Sequence, residues 1–497
     1  MVLKSALVAL AALAGSAVAA VKPLEIKGQE FVDSDTGNKF QIVGMAYQPG
    51  GSAGYDPVSG KDPLSHPEEC KRDAALMQIL GINAIRVYNL DPNINHDECA
   101  SIFNEAGMYM MIDVNSPLPG EAIASVEPWT TYHVGYLNRT FAIVEAFSNY
   151  PNTLLFFSAN EVIERPESAE FAPQYLRAVT RDLKNYIKNN LKRQIPVGYS
   201  AADVREMLWD TWNYLQCSDA DDKNDMSRAD LFALNSYSWC GPDATFQTST
   251  FDKLVAGFKD SSVPVFFSEY GCNEVQPRAW TELKSIYGSD MKDTFSGGVV
   301  YEYTMEDNNY GLVNISGDTL TILSDFNRLK AKFAEIKWKS VQSEKASGNA
   351  PKAPTCRSSL INNTDFDSNF TLPRPPPGAQ ELIDDGISPK PKGKIVKITD
   401  YKVSMEVRDP DGDEVTGLKV VPVNAFNMAG ENDAETGTDQ HKSSENVDGE
   451  DSDDDDDSDS SSSGNSNNDD DDDEDAAVLT KPMMWAVGLP LIAILFA

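Results

Sequence analysis

The chain has 497 residues, of which 41% are hydrophobic, and a formal net charge of −35. This hydrophobic fraction excludes a chain that is disordered throughout, and the acidic balance excludes a basic nucleic-acid-binding surface, so we expect no nucleic-acid partner. The charge is unevenly spread, because residues 431–475 hold 21 Asp or Glu and one Lys and so carry −20 of the total. The remaining residues carry −15 and are numerous enough for one large domain.

The N-terminus has the pattern of a secretory signal peptide. Residues 1–20 contain a lysine, an apolar stretch from Leu7 to Ala14 and the small-residue cleavage pattern Ala17-Val18-Ala19. A secreted chain with six cysteines is expected to form disulfides, although the cysteine spacing leaves their pairing open. Four Asn-X-Ser/Thr sequons are predicted glycan sites in such a chain: Asn138, Asn314, Asn362 and Asn369.

Strand-like apolar runs alternate with helical patterns through residues 21–356. The clearest helical pattern covers Phe171 to Asn190, where apolar residues recur at spacings of three and four. Several strand-like runs are almost continuously apolar, as expected of strands that are buried on both faces. The eight predicted strands are Phe40–Tyr47, Ile82–Tyr88, Tyr109–Asn115, Thr153–Glu161, Ile195–Ala201, Leu231–Trp239, Pro264–Gly271 and Gly298–Met305.

This alternation predicts a (β/α)8 barrel, the TIM-barrel form of the α/β class, over residues 21–356. A doubly wound open sheet is the alternative, but it usually has a Gly-x-Gly-x-x-Gly loop after its first strand. The Gly-rich stretch from Gln48 to Gly54 lacks that spacing. Upstream, Phe31 to Phe40 is typical of a hairpin turn, which we expect to close the bottom of the barrel.

Two of the predicted strands have a glutamate at or close to their C-terminal end. Glu161 ends the fourth strand and Glu269 lies at the end of the seventh. A parallel barrel collects its reactive side chains at the C-terminal ends of its strands, so we expect these carboxylates to face one cleft. Two facing carboxylates are the minimum that cleavage of a glycosidic bond requires.

Other predicted strand ends supply side chains suited to binding a sugar. Aromatic faces pack on sugar rings, and amides and carboxylates bind the hydroxyls. Asn160 is suited to bind a hydroxyl, and Tyr270, which follows Glu269, is expected to position that carboxylate. The other candidates are Gln48, Arg86, Tyr88, Asp113, Asn115, Asn235, Tyr237, Trp239, Tyr301, Glu302, Tyr303 and Tyr310.

Metal, cofactor and catalytic-triad chemistry have little support in the sequence. The chain has four histidines, and none is paired at a spacing typical of metal ligands. It also lacks the Gly-x-Ser-x-Gly motif of a nucleophilic serine. We therefore expect no metal and no cofactor.

The chain after the predicted barrel changes composition three times. Residues 357–430 contain a stiff proline-rich linker and, at Lys394–Val423, a pattern for two or three strands of a small β-rich segment, with Asp409–Asp413 as a hairpin turn. Residues 431–475 are predicted to be a disordered Ser/Asp stalk, because they cannot bury a core. Residues 476–497 match a lipid-anchor (GPI) signal, and a marginal transmembrane helix is the alternative.

Six stretches between residues 22 and 356 form a specific set of motifs. They are Gly44-Met-Ala-Tyr-Gln-Pro-Gly50, Cys70-Lys-Arg-Asp73, Asn83-Ala-Ile-Arg-Val-Tyr88, Phe157-Ser-Ala-Asn-Glu161, Phe267-Ser-Glu-Tyr-Gly-Cys272 and Tyr301-Glu-Tyr-Thr-Met-Glu-Asp-Asn-Asn-Tyr-Gly-Leu-Val313. With these motifs the chain resembles the fungal glycolipid-anchored β-1,3-glucanosyltransferases, glycoside hydrolase family 72.

The resemblance implies roles for particular residues. Glu161 is expected to be the acid/base and Glu269 the nucleophile, so the pKa of Glu161 should be raised relative to that of Glu269. The implied disulfides are Cys70–Cys99, Cys217–Cys356 and Cys240–Cys272, and the implied glucan subsites are lined by Gln48, Tyr88, Asp113, Asn160, Tyr237, Tyr301 and Tyr310. One branch of the family has a Cys-rich glucan-binding module after the barrel. No Cys follows Cys356, so we expect that module to be absent.

The resemblance also implies an activity outside the cell. The enzyme would cleave an internal β-1,3-glucan linkage with retention and transfer the segment to the non-reducing end of another β-1,3-glucan, which elongates cell-wall glucan. Its partners would be the donor and acceptor glucan chains and the outer leaflet of the plasma membrane, through the GPI anchor. The alternatives are a β-1,3-glucan hydrolase, with water as the acceptor, and a non-catalytic wall-binding protein.

Overall fold

A closed barrel of eight parallel strands is the core of the structure, a computed structural model that describes residues 21–219 and 224–429. A hairpin of β1 (Glu25–Lys27) and β2 (Glu30–Val32) precedes the barrel. The barrel strands are β3 (Ile42–Tyr47), β4 (Ala84–Val87), β5 (Tyr109–Asp113), β6 (Thr153–Asn160), β7 (Val197–Ala202), β8 (Phe232–Asn235), β9 (Val265–Tyr270) and β10 (Gly297–Val300). They pair in chain order, and β10 closes on β3. The predicted (β/α)8 barrel is therefore confirmed, and the open sheet is excluded.

The predicted signal peptide, acidic stalk and anchor signal lie outside the described residues. Helices follow most of the barrel strands, and two more follow the barrel with a third near the C-terminal end of the described chain. They are α1 (Pro67–Leu80), α2 (Asp97–Glu105), α3 (Val134–Phe147), α4 (Pro166–Phe171), α5 (Pro173–Asn190), α6 (Arg205–Gln216), α7 (Phe251–Phe258), α8 (Leu283–Ile286), α9 (Ser324–Ala334), α10 (Trp338–Gln342) and α11 (Ala379–Asp385). Among the described helices, none combines the length and the apolar character that crossing a membrane requires.

The clearest predicted helix, Phe171 to Asn190, starts slightly later in the structure. Pro173 occupies the first turn of α5, while Phe171 ends the preceding helix α4. Proline suits the first turn of a helix because its missing N–H would have no partner there. The predicted helix is thus confirmed, with a start that proline sets.

The inward-facing side chains change from apolar to polar along the barrel. Side chains alternate along a strand, so Tyr109, Met111 and Asp113 of β5 share one face. Tyr109 and Met111 belong to a buried apolar cluster that also contains Phe157. Asp113, at the C-terminal end of β5, instead binds Arg86. The barrel therefore has an apolar floor and a polar mouth.

The segment around β2 closes the bottom of the barrel, as the sequence predicts. Phe31 and Phe40 are buried in the same apolar cluster as the inward-facing barrel residues. The ring of Phe31 packs edge-on against Phe266 with centroids 6.0 Å apart, and that of Phe40 packs against Tyr109 at 5.2 Å. These contacts shield the floor of the barrel from solvent.

A second, small sheet follows the barrel. It consists of the hairpin β11 (Val313–Ser316) and β12 (Thr319–Ile322), and β13 (Val407–Arg408) pairs in parallel with β12. A small β-rich segment is thus present, but the stretch Lys394–Val423 contributes one two-residue strand and isolated bridges where two or three strands were predicted. The predicted hairpin turn at Asp409–Asp413 forms, with Asp409 N donating to Asp413 O at 2.9 Å.

We call residues 379–429 the C-terminal strap. The further strands predicted at Lys394–Val423 do not form because the strap has other hydrogen-bond partners. Its backbone bonds to side chains of the barrel helices in place of a neighbouring strand. Val421 N donates to Gln78 Oε1 at 2.8 Å, and Val396 N donates to Ser101 Oγ at 2.9 Å. The strap ends at the bottom of the barrel, where Phe426 packs on Phe40 at 5.1 Å between ring centroids and Ala429 lies against Gly81.

Three disulfides cross-link the described chain. The pairs are Cys70–Cys99, Cys217–Cys356 and Cys240–Cys272, which are the pairs that the family resemblance implies. The four sequon asparagines all lie at exposed positions, which a glycan requires: Asn138, Asn314, Asn362 and Asn369.

Candidate active site

Strands β6 and β9 each deliver one glutamate to the mouth of the barrel. Glu161 directly follows β6 and has a φ of 51°, in the left-handed region, while Glu269 lies within β9. The strand register shifts just before each glutamate, between Phe157 and Ala159 in the β6–β7 pair and between Leu234 and Asn235 in the β8–β9 pair. Such irregularities redirect side chains next to active sites. Both carboxylates line the same cleft of about 340 Å³.

A buried arginine connects the polar groups of the mouth. The guanidinium of Arg86, on β4, donates to both oxygens of Asp113, at 2.9 and 3.1 Å. It also donates to Asn160 Oδ1 at 2.8 Å and to Glu269 Oε1 at 3.1 Å. Burial acts to lower the pKa of Arg86, but the charges of Asp113 and Glu269 outweigh it and raise that pKa. Arg86 is therefore a fixed cation between two carboxylates.

Both oxygens of Glu269 are held by hydrogen bonds. Tyr88 donates to Oε1 at 2.9 Å and Tyr237 donates to Oε2 at 2.7 Å. Burial raises the pKa of Glu269 to about 7; Arg86 acts against this rise and the charge of Glu161 adds to it. The sequence predicts a raised pKa at Glu161 relative to Glu269, whereas in the structure it is the pKa of Glu269 that is raised. The cause is the enclosure of Glu269 in the barrel mouth, where its charged form loses hydration.

Asn235, at the end of β8, links the two glutamates. Its Nδ2 donates to Glu161 Oε1 at 3.0 Å and to Asn160 Oδ1 at 3.1 Å. Its Oδ1 accepts from Ser268 Oγ at 2.7 Å and from Arg86 at 3.3 Å. Because these bonds fix the amide from behind, Glu161 has a defined position relative to the Arg86–Glu269 pair.

Three tyrosine rings form an aromatic wall beside Glu269. The ring centroids of Tyr301 and Tyr310 are 5.2 Å apart, and those of Tyr237 and Tyr310 are 5.5 Å apart. Tyr301 also lines the cleft, whose lining includes the predicted site residues Gln48, Tyr88, Asp113, Asn160, Glu161 and Glu269. The predicted set therefore converges at one mouth, with Tyr237 and Tyr310 joined to it through the wall.

Some strand-end residues lie away from the cleft or have another partner. The Trp239 indole is buried and donates to Thr281 Oγ1 at 2.9 Å, and Tyr303 is buried against Asp73. Tyr270, expected to position Glu269, packs its ring on Gly298 and Phe267, so Tyr88 and Tyr237 take that role. Asp113 lines the cleft, but both of its carboxylate oxygens accept hydrogen bonds from Arg86.

Sequence reasoning did not identify the groups that brace the aromatic wall from behind. Arg278, in the loop after β9, donates to the backbone oxygens of Tyr301 at 2.8 Å and Tyr310 at 2.6 Å. Asn308 donates to Glu302 Oε1 at 2.7 Å. No local pattern marks Arg278, while Asn308 lies within the motif Tyr301 to Val313, which is the signal that could identify it.

The chain matches the family model described as glucanosyltransferase, Glyco_hydro_72, over residues 13–337. The 1,3-beta-glucanosyltransferase gel2 of Aspergillus fumigatus is 50% identical over 413 residues, which cover 83% of this chain and 85% of that protein. The 1,3-beta-glucanosyltransferase GAS4 of Saccharomyces cerevisiae is 41% identical over 408 residues, with 82% and 84% coverage.

Solved structures also match this chain. A variant of Saccharomyces cerevisiae Gas2p in complex with laminaritetraose and laminaripentaose matches with a TM-score of 0.62 and 32% identity. The match covers 72% of this chain and 75% of that chain. Fold, site and sequence agree, and the chain belongs to the glucanosyltransferase family, glycoside hydrolase family 72.

Proposed function

We propose that the protein is an extracellular retaining β-1,3-glucanosyltransferase that elongates cell-wall glucan. The observation that carries the proposal is the pair Glu161 and Glu269, which share one cleft and are linked by Asn235 and Arg86. A retaining mechanism needs one carboxylate that attacks and one that exchanges a proton. Relatives named 1,3-beta-glucanosyltransferase and a Gas2p complex with laminari-oligosaccharides support β-1,3-glucan as the substrate.

Glu269 is the nucleophile in this proposal. The hydrogen bonds from Tyr88, Tyr237 and Arg86 fix its carboxylate and favour the charged form that attack requires. The carboxylate forms a bond to the anomeric carbon of the donor glucan while the bond to the leaving glycosidic oxygen breaks. Glu161 gives its proton to that oxygen, and a glucosyl ester of Glu269 results.

The second step reverses the role of Glu161. Its carboxylate takes the proton of the 3-hydroxyl at the non-reducing end of an acceptor glucan. The acceptor oxygen bonds to the anomeric carbon as the ester bond to Glu269 breaks, so a β-1,3 linkage forms again and the acceptor becomes longer. Asn235 keeps Glu161 at the position where both steps need it.

Glu161 and Glu269 are electrostatically coupled in the cleft. The negative charge of Glu161 contributes to the raised pKa of Glu269, while the positive charge of Arg86 and the hydrogen bonds from Tyr237 and Tyr88 act against the rise. These three groups therefore support the charged form of Glu269 that attack on the anomeric carbon requires.

The polar and aromatic lining supports recognition of the glucan chain. Tyr301 and Tyr310 offer ring faces to sugars, and Gln48 and Asn160 offer amides to hydroxyls. Such a lining orients a polar ring with few directional contacts. We assign the glucan subsites to Gln48, Tyr88, Asp113, Asn160, Tyr237, Tyr301 and Tyr310.

Transfer and hydrolysis use the same two glutamates, so the acceptor has to be tested directly. The purified protein is incubated with one laminari-oligosaccharide of defined length, and products are measured by mass spectrometry over time. We expect products longer than the substrate. Only shorter products would establish a hydrolase, and an unchanged oligosaccharide would favour a wall-binding protein.

The proposed location is the outer leaflet of the plasma membrane, through a GPI anchor. The signal-peptide and anchor patterns at residues 1–20 and 476–497 support it, together with three disulfides that are typical of secreted chains. Phosphatidylinositol-specific phospholipase should release the protein from membranes. Retention, with residues 476–497 still present by mass spectrometry, would establish a membrane-spanning tail instead.

A further inference from the structure

A buried carboxylate with no role in the reaction lies beside the cleft. Glu302 directly precedes Tyr303 at the C-terminal end of the last barrel strand, and its exposed fraction is 0%. Glu302 Oε2 accepts a hydrogen bond of 3.1 Å from Gln48 Nε2, and Oε1 accepts one of 2.7 Å from Asn308 Nδ2. The two donors come from the loops after β3 and β10. Glu302 therefore joins two loops of the mouth.

These bonds determine how the Gln48 amide is oriented. A carboxylate only accepts hydrogen bonds, so Gln48 has to turn its NH2 group towards Glu302. The same nitrogen lies 3.3 Å from the Tyr301 hydroxyl. Within the described chain, no group donates to Gln48 Oε1, and the Gln48 side chain lines the cleft. The atom left for a substrate is thus a hydrogen-bond acceptor.

We propose that Glu302 is a positioning residue that holds Gln48 with its carbonyl oxygen towards the cleft, where it accepts a hydrogen bond from a hydroxyl of the bound β-1,3-glucan. The proposal rests on the proposed function, because it needs a glucan in this cleft. It adds a residue that acts through Gln48 and does not itself contact the sugar. The carbonyl oxygen of the Gln48 amide, and not its NH2 group, is then the atom that contacts the substrate.

The surroundings of Glu302 support this role. Burial raises its pKa, and the Asn308 and Gln48 donors act against that rise. The nearby charge of Glu306 adds to it. A buried carboxylate in this setting depends on its donors, which here are Asn308, Gln48 and Tyr301, since each lost hydrogen bond leaves its charge less well compensated. Gln48 and Glu302 therefore constrain each other.

The loop beyond Glu302 depends on the same carboxylate. Asn308 donates to Glu302 through Nδ2, and its Oδ1 accepts from the backbone N–H of Tyr310 at 3.3 Å. This chain of bonds connects Glu302 to one ring of the aromatic wall. A change at Glu302 is therefore transmitted to both sides of the cleft, although Gln48 has the direct contact.

The first test is a double-mutant cycle between Glu302→Gln and Gln48→Ala, made in the inactive Glu161→Gln background. A glutamine at position 302 accepts through one oxygen only, so its own NH2 group faces one of the two donors and favours a flipped Gln48 amide. Calorimetry with laminaripentaose should show a loss of affinity of about tenfold or more for Glu302→Gln. In the Gln48→Ala background the same substitution should change the affinity less than about threefold, because the amide it positions is gone.

Asp307→Asn is the matched control for this cycle. It removes a carboxylate charge from an exposed position of the same loop and should leave the affinity unchanged. Equal losses for Glu302→Gln with and without Gln48 would overturn the positioning role. If the parent protein neither binds laminaripentaose nor makes longer products, the proposed function fails as well. Binding by the parent with additive losses overturns this inference alone.

Gln48→Glu gives a second readout that leaves Glu302 itself unchanged. A carboxylate at position 48 faces Glu302 without a donor, unless one of the two oxygens holds a proton. In the Glu161→Gln background, laminaripentaose affinity of Gln48→Glu should therefore improve by about tenfold as pH falls from 8 to 5, relative to the same background with Gln48. A parallel pH profile for both proteins would show that Gln48 and Glu302 are not coupled and would overturn the inference.

Discussion

Asn235 donates a hydrogen bond of 3.0 Å to Glu161 from a strand two places around the barrel. The same amide accepts from Arg86, which binds Glu269. Asn235 is thus the short connection between two groups that have to act on the same glycosidic bond. Its position explains why the two glutamates keep a fixed separation although they lie on β6 and β9.

The first prediction concerns this connection. Asn235→Ala should lower the initial rate of transfer by about 10- to 100-fold, because Glu161 loses the donor that orients it and hydrogen bonds to charged groups are worth about 1.5–3 kcal/mol. Initial rates on a laminari-oligosaccharide check this. Asn115→Ala, at another strand end, is the comparison variant and should have the smaller effect. Equal rates for Asn235→Ala and the parent enzyme would contradict the role of Asn235.

A second prediction separates the roles of the two glutamates. Both Glu161→Gln and Glu269→Gln should abolish transfer from an oligosaccharide donor. A β-laminaribiosyl fluoride donor needs no proton on its leaving group, so Glu161→Gln should still release fluoride in a burst as the ester forms. Glu269→Gln should release none. A fluoride burst from Glu269→Gln and none from Glu161→Gln would exchange the two assignments.

A third prediction follows from the pKa of Glu269, about 7 in the folded protein against a usual value of 4.5. Between these two values the folded state binds more protons than the unfolded state, so the free energy of unfolding falls as pH rises through this range. Glu269→Gln removes this fall in the free energy of unfolding, because glutamine does not titrate. The variant should therefore gain up to about 3 kcal/mol over the parent between pH 4 and pH 8, at about 1.4 kcal/mol for each unit of the pKa shift.

Urea unfolding of both proteins at pH 4 and pH 8 measures this difference. Glu170→Gln, which removes an exposed carboxylate from α4, is the control and should show no comparable gain. A constant stability difference between Glu269→Gln and the parent at both pH values would refute the link between burial of Glu269 and pH. A gain would illustrate how an active-site carboxylate costs stability.

A fourth prediction compares two disulfides. Cys217–Cys356 closes a loop with a sequence separation of 139, against 29 for Cys70–Cys99. The entropy lost by the unfolded chain grows with the logarithm of loop length, so removing the longer link should cost about 1 kcal/mol more. Arg177 also contacts both sulfurs of this bridge, at 3.0 and 3.3 Å.

Paired Cys→Ser variants and urea unfolding provide the measurement for the disulfides. The free energy of unfolding should fall by about 3–5 kcal/mol for each pair, with the larger fall for Cys217–Cys356. Transfer rates should stay close to those of the parent at a temperature where both variants are folded, because neither bridge touches the cleft. A larger fall for Cys70–Cys99 would show that strain or residual structure outweighs loop entropy here.

Apolar periodicity was sufficient to predict the barrel and the two glutamates. The run from Leu154 to Ala159 is apolar except for one serine, as a strand between two layers must be, and Asn160 and Glu161 follow it. Because the C-terminal ends of parallel strands meet at one mouth, the convergence of Glu161 and Glu269 follows from topology alone. The pattern thus predicts which groups meet.

The hydrogen-bond partners of these groups could not be predicted from the sequence. The pairing of Asp113 with Arg86 depends on both side chains facing inward from neighbouring strands, which composition does not show. The register shifts before Glu161 and Glu269 leave no mark in composition. The sequence therefore predicts that Tyr270, the next residue, positions Glu269, whereas Tyr88 and Tyr237 hold it in the structure. The C-terminal strap was also missed, because its bonds to helix side chains have no sequence period.

The end of the strap lies on the side of the barrel away from the cleft. Ala429 lies against Gly81, in the turn that leads into β4, so the described chain ends at the face of the barrel opposite to Glu161 and Glu269. The strap thus covers the closed floor and leaves the mouth of the barrel free, so that a donor and an acceptor chain can both reach the two glutamates.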